Sequence, residues 1–191
     1  MNNIIIYDEN ILEEEVIQQI TLDSYRCPYF FNTQITSPLI EGKTVIGNGK
    51  QRYLVSGRND AQTISHVEEI GKYILNKTIN KYDLKINKIL DIRSHIYMPS
   101  LQKEKTDPHI KLKDNNYILI YNVDNNNIVV YNETFDTNKF YSIEDLTIKE
   151  SFDAKSGSIL LFNGLNYHSI VLPKIDDTSC FIFISLEMNN D

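Results

Sequence analysis

The spacing of apolar residues divides the chain near residue 88. Before that point, two segments carry apolar side chains every three or four positions, which is the spacing of one face of an α-helix. The first covers about residues 10–22. The second follows the same spacing at Ile64, Val67, Ile70, Ile74 and Thr78. A β-branched run at 4–7 predicts a short strand ahead of both helices.

Residues that cap helices precede both segments. Asp8 or Asn10 is predicted to cap the first helix, and Thr63 or Asp60 the second. Glutamates at 13–15 are expected in the first turn, where carboxylates complement the positive end of the helix dipole. Between residues 28 and 59, glycines and prolines interrupt the pattern, which predicts loops and two short strands, one of them at 52–56.

After residue 88 the pattern alternates between apolar and polar positions, which predicts strands. We expect them at 89–98, 117–123, 128–131, 158–162, 168–172 and 180–186. An Asp-Asn-Asn-Asn turn at 124–127 joins the second and third as a hairpin.

Strands crowded behind two N-terminal helices predict a mainly β fold of the α+β class. The strands would close into a jelly roll or barrel that the helices buttress. We expect a single domain over residues 1–191, with 1–88 as supporting strand and helices and 89–188 as the jelly-roll core.

Composition narrows the possible partners. The 191 residues have a formal net charge of −7 and no basic block, so nucleic acid is not expected as the main ligand. No apolar segment is long enough for a membrane span, and the N-terminus lacks the basic region of a signal peptide. Two cysteines, Cys27 and Cys180, are too few for a disulfide scaffold. We therefore expect a cytoplasmic protein.

The four histidines are the informative residues, because no nucleophile elbow, phosphate loop or dinucleotide fingerprint is present. His66 is predicted on the polar face of the second helix, and His95 is predicted to be packed within a strand. His109 and His168 stand at predicted strand ends, where the mouth of a small barrel can bring them together.

Three stretches place these histidines in a familiar order: Asp-Pro-His-Ile-Lys at 107–111, Gly-Ser-Ile-Leu-Leu-Phe-Asn-Gly at 157–164, and Tyr-His-Ser at 167–169. Together with the Tyr-rich strand at 117–123, this order resembles the 2-oxoglutarate/Fe(II)-dependent dioxygenases. The likeness is strongest to small prolyl-hydroxylase-like members encoded by phages. The resemblance implies a cupin-like double-stranded β-helix and, for a phage protein, location in the host cytoplasm.

The resemblance also implies a metal site with one altered ligand. In the family, two histidines and one carboxylate hold Fe(II) beside 2-oxoglutarate. His109 and His168 fall on the histidine positions, but Lys111 falls on the carboxylate position. A charged lysine has no lone pair to offer a cation.

The family's arginine for 2-oxoglutarate is also missing. Its position falls in 176–180, Asp-Asp-Thr-Ser-Cys, where Lys174 is the nearest cation and a possible replacement. Tyr117 matches a position that often offers a hydroxyl to the co-substrate, although a core tyrosine is the simpler interpretation.

Three functions remain open on this basis. The first is a catalytically degenerate relative that acts as a binding module for a protein or small molecule, without a cofactor and with a homodimer possible. In that case the Lys111 ammonium would take the metal position and donate to one or both imidazoles. The second is an active Fe(II)/2-oxoglutarate hydroxylase in which Asp107 or Asp114 supplies the carboxylate. The third is a cupin-like protein that holds zinc, nickel or copper through His109, His168 and His95. The double departure favours the first.

Overall fold

Two α-helices and twelve strands are defined in the computed structural model. It describes residues 5–34, 39–40, 43–44, 50–57, 66–111, 116–136, 138–139 and 141–189, and only the backbone within 30–57. The helices are α1 (Glu14–Arg26) and α2 (His66–Tyr82), with a 3-10 turn at Ile143–Asp145. The first six strands are β1 (Ile6–Asp8), β2 (Phe30–Gln34), β3 (Leu39–Ile40), β4 (Lys43–Thr44), β5 (Lys50–Gly57) and β6 (Ile86–Tyr97). The other six are β7 (Tyr117–Asn122), β8 (Asn126–Thr134), β9 (Ile148–Ala154), β10 (Ile159–Asn163), β11 (Asn166–Ile170) and β12 (Ser179–Met188).

Two antiparallel sheets form the body of the fold. The major sheet has the order β1-β10-β7-β12-β6-β5-β2, and the minor sheet has the order β11-β8-β9. The hairpin predicted across 124–127 is wrong, because β7 and β8 lie in different sheets and the segment between them crosses from one sheet to the other. Isolated bridges from Lys105 to Val171 and from His109 to His168 align residues 105–109 along β11, as a further edge of the minor sheet. β3 and β4 form a small separate ribbon.

Side chains of the major sheet alternate between two cores. On β7, Ile118 and Ile120 pack against the minor sheet, whereas Leu119 and Tyr121 pack against the helices. Each face of the sheet is therefore covered, which explains why this strand is apolar at every position but its last. The mainly β, jelly-roll fold predicted from the sequence is confirmed.

The start of α1 differs from the prediction. The helix runs from Glu14 to Arg26 rather than over about 10–22. Its N-cap is Glu13 rather than Asp8 or Asn10, and no side-chain hydrogen bond caps it. Asp8 does not cap it, because its Oδ1 accepts the backbone N–H of Asn10 at 2.8 Å and its Oδ2 accepts the hydroxyl of Tyr82 at 2.7 Å. A long-range partner on α2 therefore takes the carboxylate that the sequence assigned to α1.

The rest of the predicted pattern is partly tested. Val67, Ile74 and Thr78 are buried on α2 and His66 is exposed, as predicted. The predicted caps of α2, Thr63 and Asp60, lie outside the described residues. The segment 28–59 holds four strands rather than two, and β5 includes the predicted 52–56. β9 was not predicted, because its mostly exposed, polar positions conceal the alternation of an edge strand.

Neither helix of the described part has the length and apolar character that a membrane crossing requires.

Candidate functional site

The backbone brings His109 and His168 together. Each backbone N–H donates to the other residue's carbonyl oxygen at 3.0 Å, and the two ring centroids lie 4.4 Å apart. Directly opposed residues of an antiparallel pair point to the same side. On β11, Ile170 packs between the sheets and Tyr167 packs outside them, so alternation directs His168 inward. His109 therefore also faces the space between the sheets.

Hydrogen bonds set the orientation of both imidazoles. His109 Nδ1 lies 3.0 Å from the carbonyl of Asp107, and His168 Nδ1 lies 3.3 Å from that of Asn166. A carbonyl only accepts, so Nδ1 carries the proton in each ring and Nε2 keeps its lone pair. Within the described part, the buried Nε2 of His168 has no hydrogen-bond partner.

Burial keeps both imidazoles neutral. It lowers the pKa of His109 to about 4, against a weaker opposing effect of its hydrogen bond to Asp107. It lowers the pKa of His168 well below its usual range, and the charges of His109 and Lys111 add to this. At neutral pH the two rings therefore present lone pairs rather than positive charges.

Lys111 faces the same interior space. The intervening Ile110 belongs to the apolar cluster outside the minor sheet, so alternation turns Lys111 inward beside His109. Its Nζ lies 5.3 Å from the centroid of the Phe183 ring, which projects from β12 in the facing sheet. Burial lowers the pKa of Lys111 to about 8, with Asp91 opposing and Arg93 adding to the shift.

His95 completes this group from the major sheet. It is 5% exposed, its ring lies 4.7 Å from Phe183 between centroids, and its Nδ1 lies 3.4 Å from the hydroxyl of Tyr97. Burial foremost, and then the charge of Lys111, lower its pKa well below the usual range. The packed histidine that the sequence predicts is thus present. We call the four residues His95, His109, Lys111 and His168 the imidazole–lysine cluster.

The described residues do not fit an Fe(II) site of two histidines and a carboxylate. In the ranges given above, no group of three or more His, Cys, Asp or Glu side chains is placed to hold a metal ion. The carboxylate of Asp107 is engaged elsewhere, because Lys103 Nζ lies 2.7 and 2.6 Å from its two oxygens. Asp114 lies outside the described residues. His95 also does not complete a three-histidine metal site with His109 and His168.

Tyr117 and Lys174 do not join the cluster. Tyr117 packs in the core between the major sheet and the helices, on the face that points away from His168, which agrees with the core interpretation. Lys174 is exposed in the turn before β12, and Asp176 and Asp177 beside it are exposed as well. These aspartates therefore point to solvent and do not oppose an anion inside the fold.

Two functional candidates were missed from the sequence. Arg93 and Asp91 share the inward face of β6 with His95, and Arg93 Nε lies 2.7 Å from Asp91 Oδ2. The Arg93 side chain is 40% exposed, so the pair lies where the cluster meets solvent. Alternation along β6 could have placed both on the face of His95, but only the folded sheets bring them near Lys111.

No protein-family model and no curated protein matches the sequence. The structure is similar to a 2OG-Fe(II) oxygenase-family oxidoreductase from Burkholderia pseudomallei, with a TM-score of 0.62 and 9% identity over 97% of this chain and 86% of that chain. It is also similar to a prolyl-4-hydroxylase from Pseudomonas putida, with a TM-score of 0.55 and 8% identity over 98% of this chain and 94% of that chain. A third similar structure is the epimerase SnoN in complex with Fe3+, alpha ketoglutarate and nogalamycin RO. Its TM-score is 0.58, with 7% identity over 96% of this chain and 78% of that chain. The chain has the fold of the 2-oxoglutarate/Fe(II) oxygenases.

Proposed function

We propose that this protein is a non-catalytic binding module built on the oxygenase fold. The observation that carries the proposal is the position of Lys111, which lies inward beside His109 with its Nζ over Phe183. That is where the oxygenases place the carboxylate ligand of their iron, according to the resemblance in the sequence. Fold alone does not determine function, so the argument depends on the chemistry of this one position.

Electrostatics explains why the substitution opposes iron binding. Two like unit charges about 5 Å apart repel by about 3 kcal/mol at an effective dielectric constant of 20, and a divalent ion doubles this. A carboxylate at the same place would attract the ion by a comparable amount. The imidazoles of His109 and His168 would then have to hold Fe(II) alone against the ammonium of Lys111.

Two further observations support loss of catalysis. The SnoN relative is described in complex with Fe3+ and alpha ketoglutarate, whereas the described residues here provide no carboxylate for the metal. Lys174, the sequence candidate for binding the co-substrate, lies exposed in a turn. Among the described residues, neither a carboxylate for the metal nor Lys174 is therefore placed at the cluster, and this supports the proposal.

The test measures consumption of 2-oxoglutarate by the purified protein with added Fe(II) and ascorbate. We expect no consumption above a protein-free control. Lys111→Asp and Lys111→Met are tested in parallel, with folding checked by circular dichroism. Iron-dependent consumption by the unaltered protein would contradict the proposal and favour an active hydroxylase. A gain confined to Lys111→Asp would support it.

A further inference from the structure

We propose that the imidazole–lysine cluster binds a small 2-hydroxycarboxylate, with the carboxylate on Lys111 Nζ and the hydroxyl donated to His168 Nε2. The inference rests on the proposed function, because an iron ion would take the same lone pair. It assigns this site a ligand of defined chemistry, with no metal between the ligand and the protein.

The first requirement of the site is an anion. Lys111 is half-buried and its Nζ faces an aromatic ring, and among the described residues no carboxylate lies within ion-pair distance of that Nζ. The nearby Asp91 is already paired with Arg93 at 2.7 Å. A buried charge without a paired counter-charge is costly, so a carboxylate from a ligand would stabilise it.

The second requirement is a hydrogen-bond donor. His168 is fully buried, and its Nδ1 proton is committed to the carbonyl of Asn166. The remaining Nε2 is an acceptor that no described residue satisfies. Buried polar atoms without partners are rare in folded proteins, and such an atom is a reason to look for a missing partner.

One small molecule can satisfy both requirements. A hydroxyl on the carbon next to a carboxylate places a donor beside an anion. A 2-oxo acid instead offers a second acceptor, which would face the lone pair of His168 unfavourably. A metal site has the opposite preference, for the 2-oxo acid, because a metal ion accepts electron pairs from both the imidazole and the oxo group.

The charges beside the imidazole–lysine cluster are compatible with binding of an anion. Arg93 and Lys111 carry two positive charges against the single negative charge of Asp91. The local charge is therefore positive in a chain whose formal net charge is −7. A positive site in an acidic protein directs small anions toward that site.

The test compares L- and D-lactate with pyruvate on the full chain after metal removal with a chelator. Dissociation constants are measured by NMR titration, and long-range 15N spectra of the imidazoles report on His168 Nε2. We expect the preferred lactate enantiomer to bind about tenfold more tightly than pyruvate, since one buried hydrogen bond separates them. We also expect lactate to shift the Nε2 resonance of His168.

Three variants assign the contacts. Lys111→Met is expected to weaken lactate binding about tenfold or more, because it removes the charge and keeps the length. His168→Phe is expected to abolish the preference for lactate over pyruvate. Lys174→Met, the matched control at an exposed lysine, is expected to bind lactate as the unaltered protein does.

Equal or tighter binding of pyruvate by the unaltered protein would overturn the inference, as would an unshifted Nε2 resonance with lactate at saturation. Neither result would affect the proposed function, which depends on iron and 2-oxoglutarate. Iron-dependent consumption of 2-oxoglutarate would instead contradict the proposed function and leave the metal-free binding data interpretable on their own.

Discussion

At the scale of single residues, the proposed function depends on Lys111, which lies inward beside His109. His109 and His168 have the orientation of metal ligands, with Nδ1 on a backbone carbonyl and Nε2 available. The sequence predicted that the Lys111 ammonium would bond one or both imidazoles. For His168 this prediction is wrong, because Nε2 has no partner in the described part and Nζ lies over Phe183. The ring attracts the ammonium but does not replace a counter-ion.

Replacement of the Lys111 ammonium by an apolar group should stabilise the protein when no ligand is bound. We expect Lys111→Met to raise the free energy of unfolding at pH 7 by about 1 kcal/mol, because a similar apolar side chain needs no charge burial. The pKa of Lys111 is about 8 in the fold and 10.5 as its usual value. Between these values the unfolded chain binds more protons, so the unaltered protein gains stability as pH rises.

The difference in free energy of unfolding between Lys111→Met and the unaltered protein should therefore narrow from pH 8 to 10.5. Urea unfolding at several pH values measures it, with Lys174→Met as the exposed control. A pH-independent gap, or a less stable Lys111→Met, would show that the ammonium is not penalised by burial.

At the scale of elements, local patterning predicted some boundaries and missed others. Alternation from Ile89 onward located β6, β7, β10 and β12 within three residues at each end, because their inward and outward positions are both fixed by packing. β11 lies two residues earlier than predicted, at Asn166–Ile170. The predicted cap of α1 failed because Asp8 binds α2, and no local rule contains that distant partner.

The contacts of Asp8 should make the junction of β1 and α2 sensitive to acid. Burial by itself raises the pKa of Asp8, but contacts from Lys81 and Tyr82 outweigh it and hold the pKa below 3.8. The carboxylate therefore contributes stability above that pH, and the contribution is lost as pH falls through the lowered pKa.

We expect Asp8→Asn to lower the free energy of unfolding by about 1–3 kcal/mol at pH 7, because it leaves Lys81 and Tyr82 without a charged acceptor. The loss should shrink in acid. Glu9→Gln serves as the control, since it breaks the exposed pair with Lys155 and should have a smaller effect. Thermal unfolding measures both effects. Equal losses of stability in Asp8→Asn and Glu9→Gln would contradict the stabilising role assigned to the contacts of Asp8.

At the scale of the whole molecule, the chain shares a fold with oxygenases from which it differs at most sequence positions. Two sheets with helices on one side superimpose on an oxygenase at a TM-score of 0.62 with 9% identity. The order of motifs predicted that His109 and His168 meet. It could not predict Phe183 or Arg93 at the cluster, because both belong to the facing sheet and are brought there only by closure of the jelly roll.

The most direct test of this account is the affinity of the protein for Fe(II), measured by anaerobic calorimetry on the unaltered chain, Lys111→Asp and Lys111→Met. We predict no measurable binding by the unaltered chain, the tightest binding by Lys111→Asp, and weak binding at most by Lys111→Met, which removes the repulsion without adding a ligand. Stoichiometric Fe(II) binding by the unaltered chain that Lys111→Asp does not improve would contradict it.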